Sequence, residues 1–148
     1  MTVTASVSED LDEIKGLVER LIVEHRQFAV NVGELNAALD PPGNLKALAE
    51  RFVRLQDGLT EHMVIEEFEF YPELVRRGLF DDAASAIMQQ HHDLTASLNK
   101  MELALRQRNL EVFKSALDDL EGVLKVHQPA EEEKLFPMVI APLTHGEH

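Results

Sequence analysis

Four histidines and two glutamates stand in this sequence at spacings that suit a shared cation: His25, His62 with Glu66, His91, and His127 with Glu131. In each His-x-x-x-Glu pair the two residues lie one helical turn apart on one face, so an imidazole nitrogen and a carboxylate oxygen can reach the same ion. A lone histidine on an apolar stripe reads as a hydrogen-bonded core residue. Six buried groups of this kind need more, because an unpartnered carboxylate costs several kcal/mol and an unpaired imidazole about 1–3 kcal/mol. Imidazole and carboxylate together suit iron, manganese or zinc, and the residues alone do not choose among them. The chain has no cysteine, which excludes disulfides, thiol catalysis, iron–sulfur clusters and thiolate zinc sites together.

The elements that must position these six are helices. Apolar residues recur at spacings of three and four, and strand-like alternation is scarce, so the fold class is all-α. Ser6 with Glu9 predicts a capping box that opens the first helix, which runs to about Leu39 before Asp40-Pro41-Pro42-Gly43 breaks it. Asn44 is the expected cap of a second helix reaching about Arg77, bent or interrupted near Pro72, with Gly78 in the left-handed position after its end. Asp81 or Asp82 caps the third. Asn109 marks the turn into a fourth helix reaching about Phe136, followed by Pro137 and a flexible tail from about residue 140 to 148 that holds Pro142, His145, Gly146 and His148. Short turns between long helices predict an antiparallel up-down-up-down four-helix bundle, with residues 1–148 as a single domain.

A seam of three-and-four spacing gives the buried faces. It runs Ile14, Val18, Leu21, His25, Phe28, Val32, Leu35, Leu39 on the first helix and Leu48, Phe52, Leu55, Leu59, His62, Glu66 on the second. On the third it is Ile87, His91, Leu94, Leu98, Met101, Leu105, and on the fourth Phe113, Leu117, Leu120, Leu124, His127, Glu131. The halves also repeat: His62, Glu66 and Pro72 recur 65 residues on as His127, Glu131 and Pro137, and His25 recurs 66 residues on as His91. Antiparallel packing then sets His25 beside His62 and His91 beside His127, two imidazoles for each of two ions, with Glu66 and Glu131 free to bridge.

The pattern H, HxxxE, H, HxxxE on successive helices resembles the hemerythrin-like, HHE cation-binding domains. The resemblance spans nearly the whole chain and includes Glu66-Glu67-Phe68-Glu69-Phe70-Tyr71-Pro72 and Glu131-Glu132-Glu133-Lys134-Leu135-Phe136-Pro137, similar to that family's EExxLFP segment. It implies a non-haem pair of iron ions with an oxo or hydroxo bridge, and oxygen-related function such as binding, sensing or peroxide chemistry. The oxygen carriers of that family bear a further histidine one turn after the first on the third helix, where this chain has Thr95. The missing ligand leaves each iron about one donor short of six. It favours reaction of peroxide, oxygen or nitric oxide over reversible carriage, in a catalase- or peroxidase-like di-iron oxidoreductase with no catalytic side chain beyond the ligands.

A non-enzymatic oxygen, redox or iron sensor acting through a partner is the alternative. A ferritin-like oxidase would show ExxH on two helices, but Ile22, Leu59, Met88 and Leu124 stand three residues before the four histidines.

The neighbours read more plainly. His92 lies off the seam and faces solvent, while Glu67, Glu132 and Glu133 form a solvated face that at most replaces a bridge or relays protons. Tyr71, five residues beyond Glu66, packs at the bundle end with its hydroxyl in water. Pro129, between His127 and Glu131, removes the amide that would bond to Lys125 and predicts a kink that aims or loosens that ligand pair.

A net charge of −13 repels a phosphate backbone, so nucleic acid is excluded as a direct partner. No apolar run approaches the ~20 residues of a membrane span, and residues 1–10 lack a secretory signal. A cytoplasmic protein meeting small diatomic or peroxide ligands, and a redox partner, is the expectation.

Overall fold

The computed structural model describes residues 3–39 and 44–145, with the side chains of 12–39 and 44–140. Its elements are α1 (Val3–Ala38), α2 (Leu45–Ile65), a first π-helical turn (Glu66–Phe70), α3 (Tyr71–Arg76), α4 (Asp82–Arg106), α5 (Leu110–Ala130), a second π-helical turn (Glu131–Leu135) and α6 (Phe136–His145). Among the described residues there is no strand, and the helices form a four-helix bundle. Helix α1 packs on α2 and α4 on α5; α1 against α5 and α6, and α2 against α4, close the bundle.

Local chemistry sets the helix starts. Asn44, Asp81 and Asn109 each accept a hydrogen bond from the backbone N–H three residues on, satisfying one of the orphan donors of α2, α4 and α5. Of the two aspartates, Asp81 is therefore the cap. Gly78 takes a positive φ of 69° after α3, as expected of a residue without Cβ, and Arg108 does so before α5 at 55°. Two expectations are corrected at the chain ends. Helix α1 already begins at Val3, so Ser6 lies within it instead of capping it. The fourth rod does not stop at Phe136: α6 continues to His145, accepting Pro137 in its first turn, where no amide donor is needed. The Asp40-Pro41-Pro42-Gly43 break, Gly146 and His148 lie outside the described residues.

Two apolar clusters lie on either side of the metal-competent layer. One joins Phe28, Val32, Leu35, Phe52, Leu55, Leu98, Met101, Phe113, Leu117 and their neighbours. The other joins Val18, Leu21, Phe70, Tyr71, Leu74, Ile87, Leu135, Phe136 and Val139. Every seam residue is buried except Leu39 and Leu105, which are half-buried. Helices α1 and α2 come close at Gly58, where an added Cβ would sit 3.3 Å from Phe28 Cε1.

Candidate metal centre

Each rod delivers its polar residues at one level of the bundle: His25 from α1, His62 and Glu66 from α2 and its π turn, His91 from α4, His127 and Glu131 from α5 and its π turn. All six are buried, the two glutamates completely. The rings of His25 and His62 lie 5.0 Å apart between centroids, and those of His91 and His127 5.2 Å apart.

The carboxylates span these pairs. Glu66 Oε1 stands 3.4 Å from His62 Nε2, 2.9 Å from His91 Nε2 and 3.7 Å from His127 Nε2. Glu131 Oε1 stands 3.0 Å from His25 Nε2 and 3.2 Å from His127 Nε2. Two groups of ligand atoms result, His25–His62–Glu66–Glu131 and Glu66–His91–His127–Glu131, each with its atoms within 4.8 Å of one another.

These residues fit a metal pair. Donors each about 2.1 Å from one ion sit about 3 Å apart when they subtend a right angle, close to the separations found here. Three buried polar atoms at the focus, His62 Nε2, His127 Nε2 and Glu66 Oε2, have no hydrogen-bond partner within the chain, a costly arrangement unless something else binds them. The groups are able to hold metal.

The outward nitrogens are all tied down. His25 donates from Nδ1 to Glu132 at 2.7 Å, His62 to Glu24 at 2.7 Å, His91 to Glu67 at 2.9 Å and His127 to Gln90 at 2.8 Å. An acceptor at Nδ1 fixes the tautomer, leaves Nε2 aimed inward, and strengthens it as a donor to a cation. Glu67 and Glu132 are thus not merely a solvated face, a correction to the sequence-based view; Glu133 is exposed. His92 and Thr95 are exposed as well.

Charges at the focus are strongly coupled. Burial opposes a charged His127, but the Glu131 and Glu66 carboxylates outweigh it and push its pKa up to about 10. The same contest raises His62, through Glu66 and Glu131. Burial would raise Glu66, yet its close approach to Glu131 and to the His127, His62 and His91 imidazoles holds it well below the usual carboxylate range.

Tyr71 departs most from expectation. It is buried, its hydroxyl 3.2 Å from His91 Nε2 and 3.3 Å from Glu131 Oε2, and its ring centroid 5.5 Å from that of His91. On a regular α-helix a residue five positions after Glu66 would point about 140° away. Here the Tyr71 N–H donates to the Glu66 carbonyl, the i→i+5 bond of a π turn, and the wider turn brings Tyr71 back to the face of Glu66. The second π turn does the same for Phe136, whose N–H donates to the Glu131 carbonyl.

Pro129 lies inside α5, two residues before that turn. Since an equal π turn follows Val64, its counterpart 65 positions earlier, the proline is not what widens the helix. Nor does it loosen its ligand pair, for His127–Glu131 at 3.2 Å is as close as His62–Glu66 at 3.4 Å.

Sequence reasoning missed Glu24, Gln90 and the inward Tyr71. The repeat held a signal for each: Glu24 and Gln90 immediately precede His25 and His91, and Tyr71 aligns with Phe136, a core-like residue. No described helix is long and apolar enough to cross a membrane. No curated protein and no solved structure matches the chain. Residues 16–139 of the 148 match the hemerythrin HHE cation-binding domain, a segment that contains all six inward histidines and glutamates. By that match, in a helical bundle whose buried His/Glu groups are able to hold a metal, the chain belongs to the hemerythrin HHE cation-binding family.

Proposed function

We propose that this chain holds a pair of iron ions and consumes peroxide or nitric oxide, or reacts with oxygen, at the carboxylate-bridged pair. The supporting observation is the donor count at the focus: two imidazoles per ion, two shared carboxylates, and Thr95 exposed where a third imidazole would be needed to complete one ion. Bound there, the iron pair supplies redox equivalents and open coordination positions. His25 and His62 would hold one ion and His91 and His127 the other, with Glu66 and Glu131 shared between the two groups.

Glu24, Glu67, Glu132 and Gln90 keep the imidazoles turned inward through their Nδ1 protons. Leu21, Phe28, Leu59, Leu94, Leu98 and Leu124 are all buried and Phe28 lies edge-on to His62; on this proposal they would wall the focus, keep out bulk water and admit only small molecules.

Anaerobic iron loading followed by metal counting, optical spectroscopy and peroxide addition tests the proposal. Two irons per chain with bridge absorption and rapid loss of peroxide is the expected result. A stable, reversible oxygen adduct with peroxide untouched would refute consumption, and failure to bind iron would refute the whole.

A further inference from the structure

The repeat sets a counterpart beside each residue at the centre. His25 and His91, His62 and His127, Glu66 and Glu131, and Glu67 and Glu132 are identical in kind; Glu24 with Gln90 and Tyr71 with Phe136 are not. Both exchanges fall on the same side. Around His25 and His62, the Nδ1 protons go to two carboxylates, Glu132 and Glu24, and the Phe136 ring lies on His25, 6.1 Å between centroids and 19° from parallel. Around His91 and His127, one Nδ1 proton goes to the Glu67 carboxylate and the other to the neutral Gln90 amide, and the Tyr71 hydroxyl stands at His91 Nε2.

Two consequences act in the same direction. A carboxylate at Nδ1 makes an imidazole a stronger donor than an amide does, so an ion on His91 and His127 is the more electron-poor of the two and the better acceptor of an added anion. A ligand entering there also meets a hydroxyl on the metal-facing side of His91; on the other side it meets a ring with no polar atom.

We propose that the two metal positions are inequivalent, and that a small exogenous ligand of the azide or peroxide class is taken at the His91–His127 position, where the Tyr71 hydroxyl donates a hydrogen bond to it. Tyr71 is then a positioning donor for the entering ligand, and Gln90 the residue that leaves that ion electron-poor. This rests on the iron-pair proposal above.

The test is azide titration of the oxidised, iron-loaded chain, followed by ligand-to-metal absorption, with iron counted in every variant. Tyr71→Phe is expected to keep both irons and weaken azide roughly tenfold, the scale of one hydrogen bond to a charged acceptor. Gln90→Glu is expected to weaken azide and lower the reduction potential of one iron, whereas Glu24→Gln is expected not to weaken azide. Unchanged azide affinity in Tyr71→Phe overturns the proposal, as does equal weakening by Gln90→Glu and Glu24→Gln. Loss of iron from Tyr71→Phe, or a phenolate-to-iron band in the parent that this variant lacks, also overturns it by making Tyr71 a ligand instead of a donor. A parent chain that binds no iron fails at the count, which marks failure of the iron-pair proposal itself.

Discussion

Glu66 Oε1 and His91 Nε2 lie 2.9 Å apart, although one belongs to the first hairpin and the other to the second. The contact makes Glu66 the tie between half-sites, since the same oxygen also faces His62. Glu66→Ala is therefore expected to weaken both metal positions together, by more than the 10- to 100-fold typical of losing an outer partner. Chelator competition measures it; loss of one ion with the other held at parental affinity would contradict a bridging role.

Without metal, the coupled charges give a definite pH profile. His62 and His127 have folded pKa values above their ordinary 6.5, that of His127 up to about 10, so their contribution is complete below pH 6.5 and disappears as pH rises toward 10. Glu66 is depressed below 4.5, so its contribution is present above 4.5 and is lost as pH falls through its lower folded value. The metal-free chain should melt highest between about pH 4.5 and 6.5. A melting temperature that climbs from pH 6.5 to 9 would show that these charges do not govern the apo state.

The raised histidines also mean that metal must displace protons. Calorimetry near pH 7 in two buffers of different ionisation enthalpy should show net proton release on loading, and retention should weaken as the solution is acidified. Identical apparent heats in the two buffers would argue against imidazole ligation.

Glu67 is exposed and Glu132 half-buried, so their removal disturbs little packing, yet each accepts an inner histidine's Nδ1 proton. Glu132→Ala or Glu67→Ala should lower metal affinity about 10- to 100-fold and cost the metal-free chain about 1–3 kcal/mol, the penalty for leaving a buried imidazole N–H without its acceptor. Affinity within threefold of the parent would reduce these contacts to surface ion pairs.

Phe28 supports the centre from the apolar side, edge-on to His62 at 5.1 Å between centroids and against Gly58. Phe28→Ala should cost about 3–5 kcal/mol, the usual range for emptying a buried aromatic site. Denaturant unfolding of the metal-free chain checks this. A cost below 1 kcal/mol would mean that the neighbours collapse into the space.

That these four histidines and two glutamates meet inside the bundle could be read from spacing because four amphipathic helices leave little freedom in which side turns inward. Buried histidine and glutamate on an apolar seam have one economical explanation. Contacts between rods were harder: Glu24 reaches His62, and Gln90 reaches His127, across helix pairs whose exact rotation no periodicity specifies. Helical counting places Tyr71 at the bundle end with its hydroxyl in water because it assumes a constant 3.6 residues per turn. The count fails where backbone bonds skip to the fifth residue, and nothing in Glu66-Glu67-Phe68-Glu69-Phe70 announces that change. Ser6 misled for another reason, since a capping motif is permissive and α1 simply starts earlier.

Those widened turns bear on any attempt to transplant the centre into a plain designed bundle. Grafting the six ligands onto regular helices would reproduce the list of donors but swing the phenol and its phenylalanine twin out of the interior. The recipient scaffold would need one surplus residue in each rod that bears a carboxylate, inserted directly after it, before the graft could resemble its source.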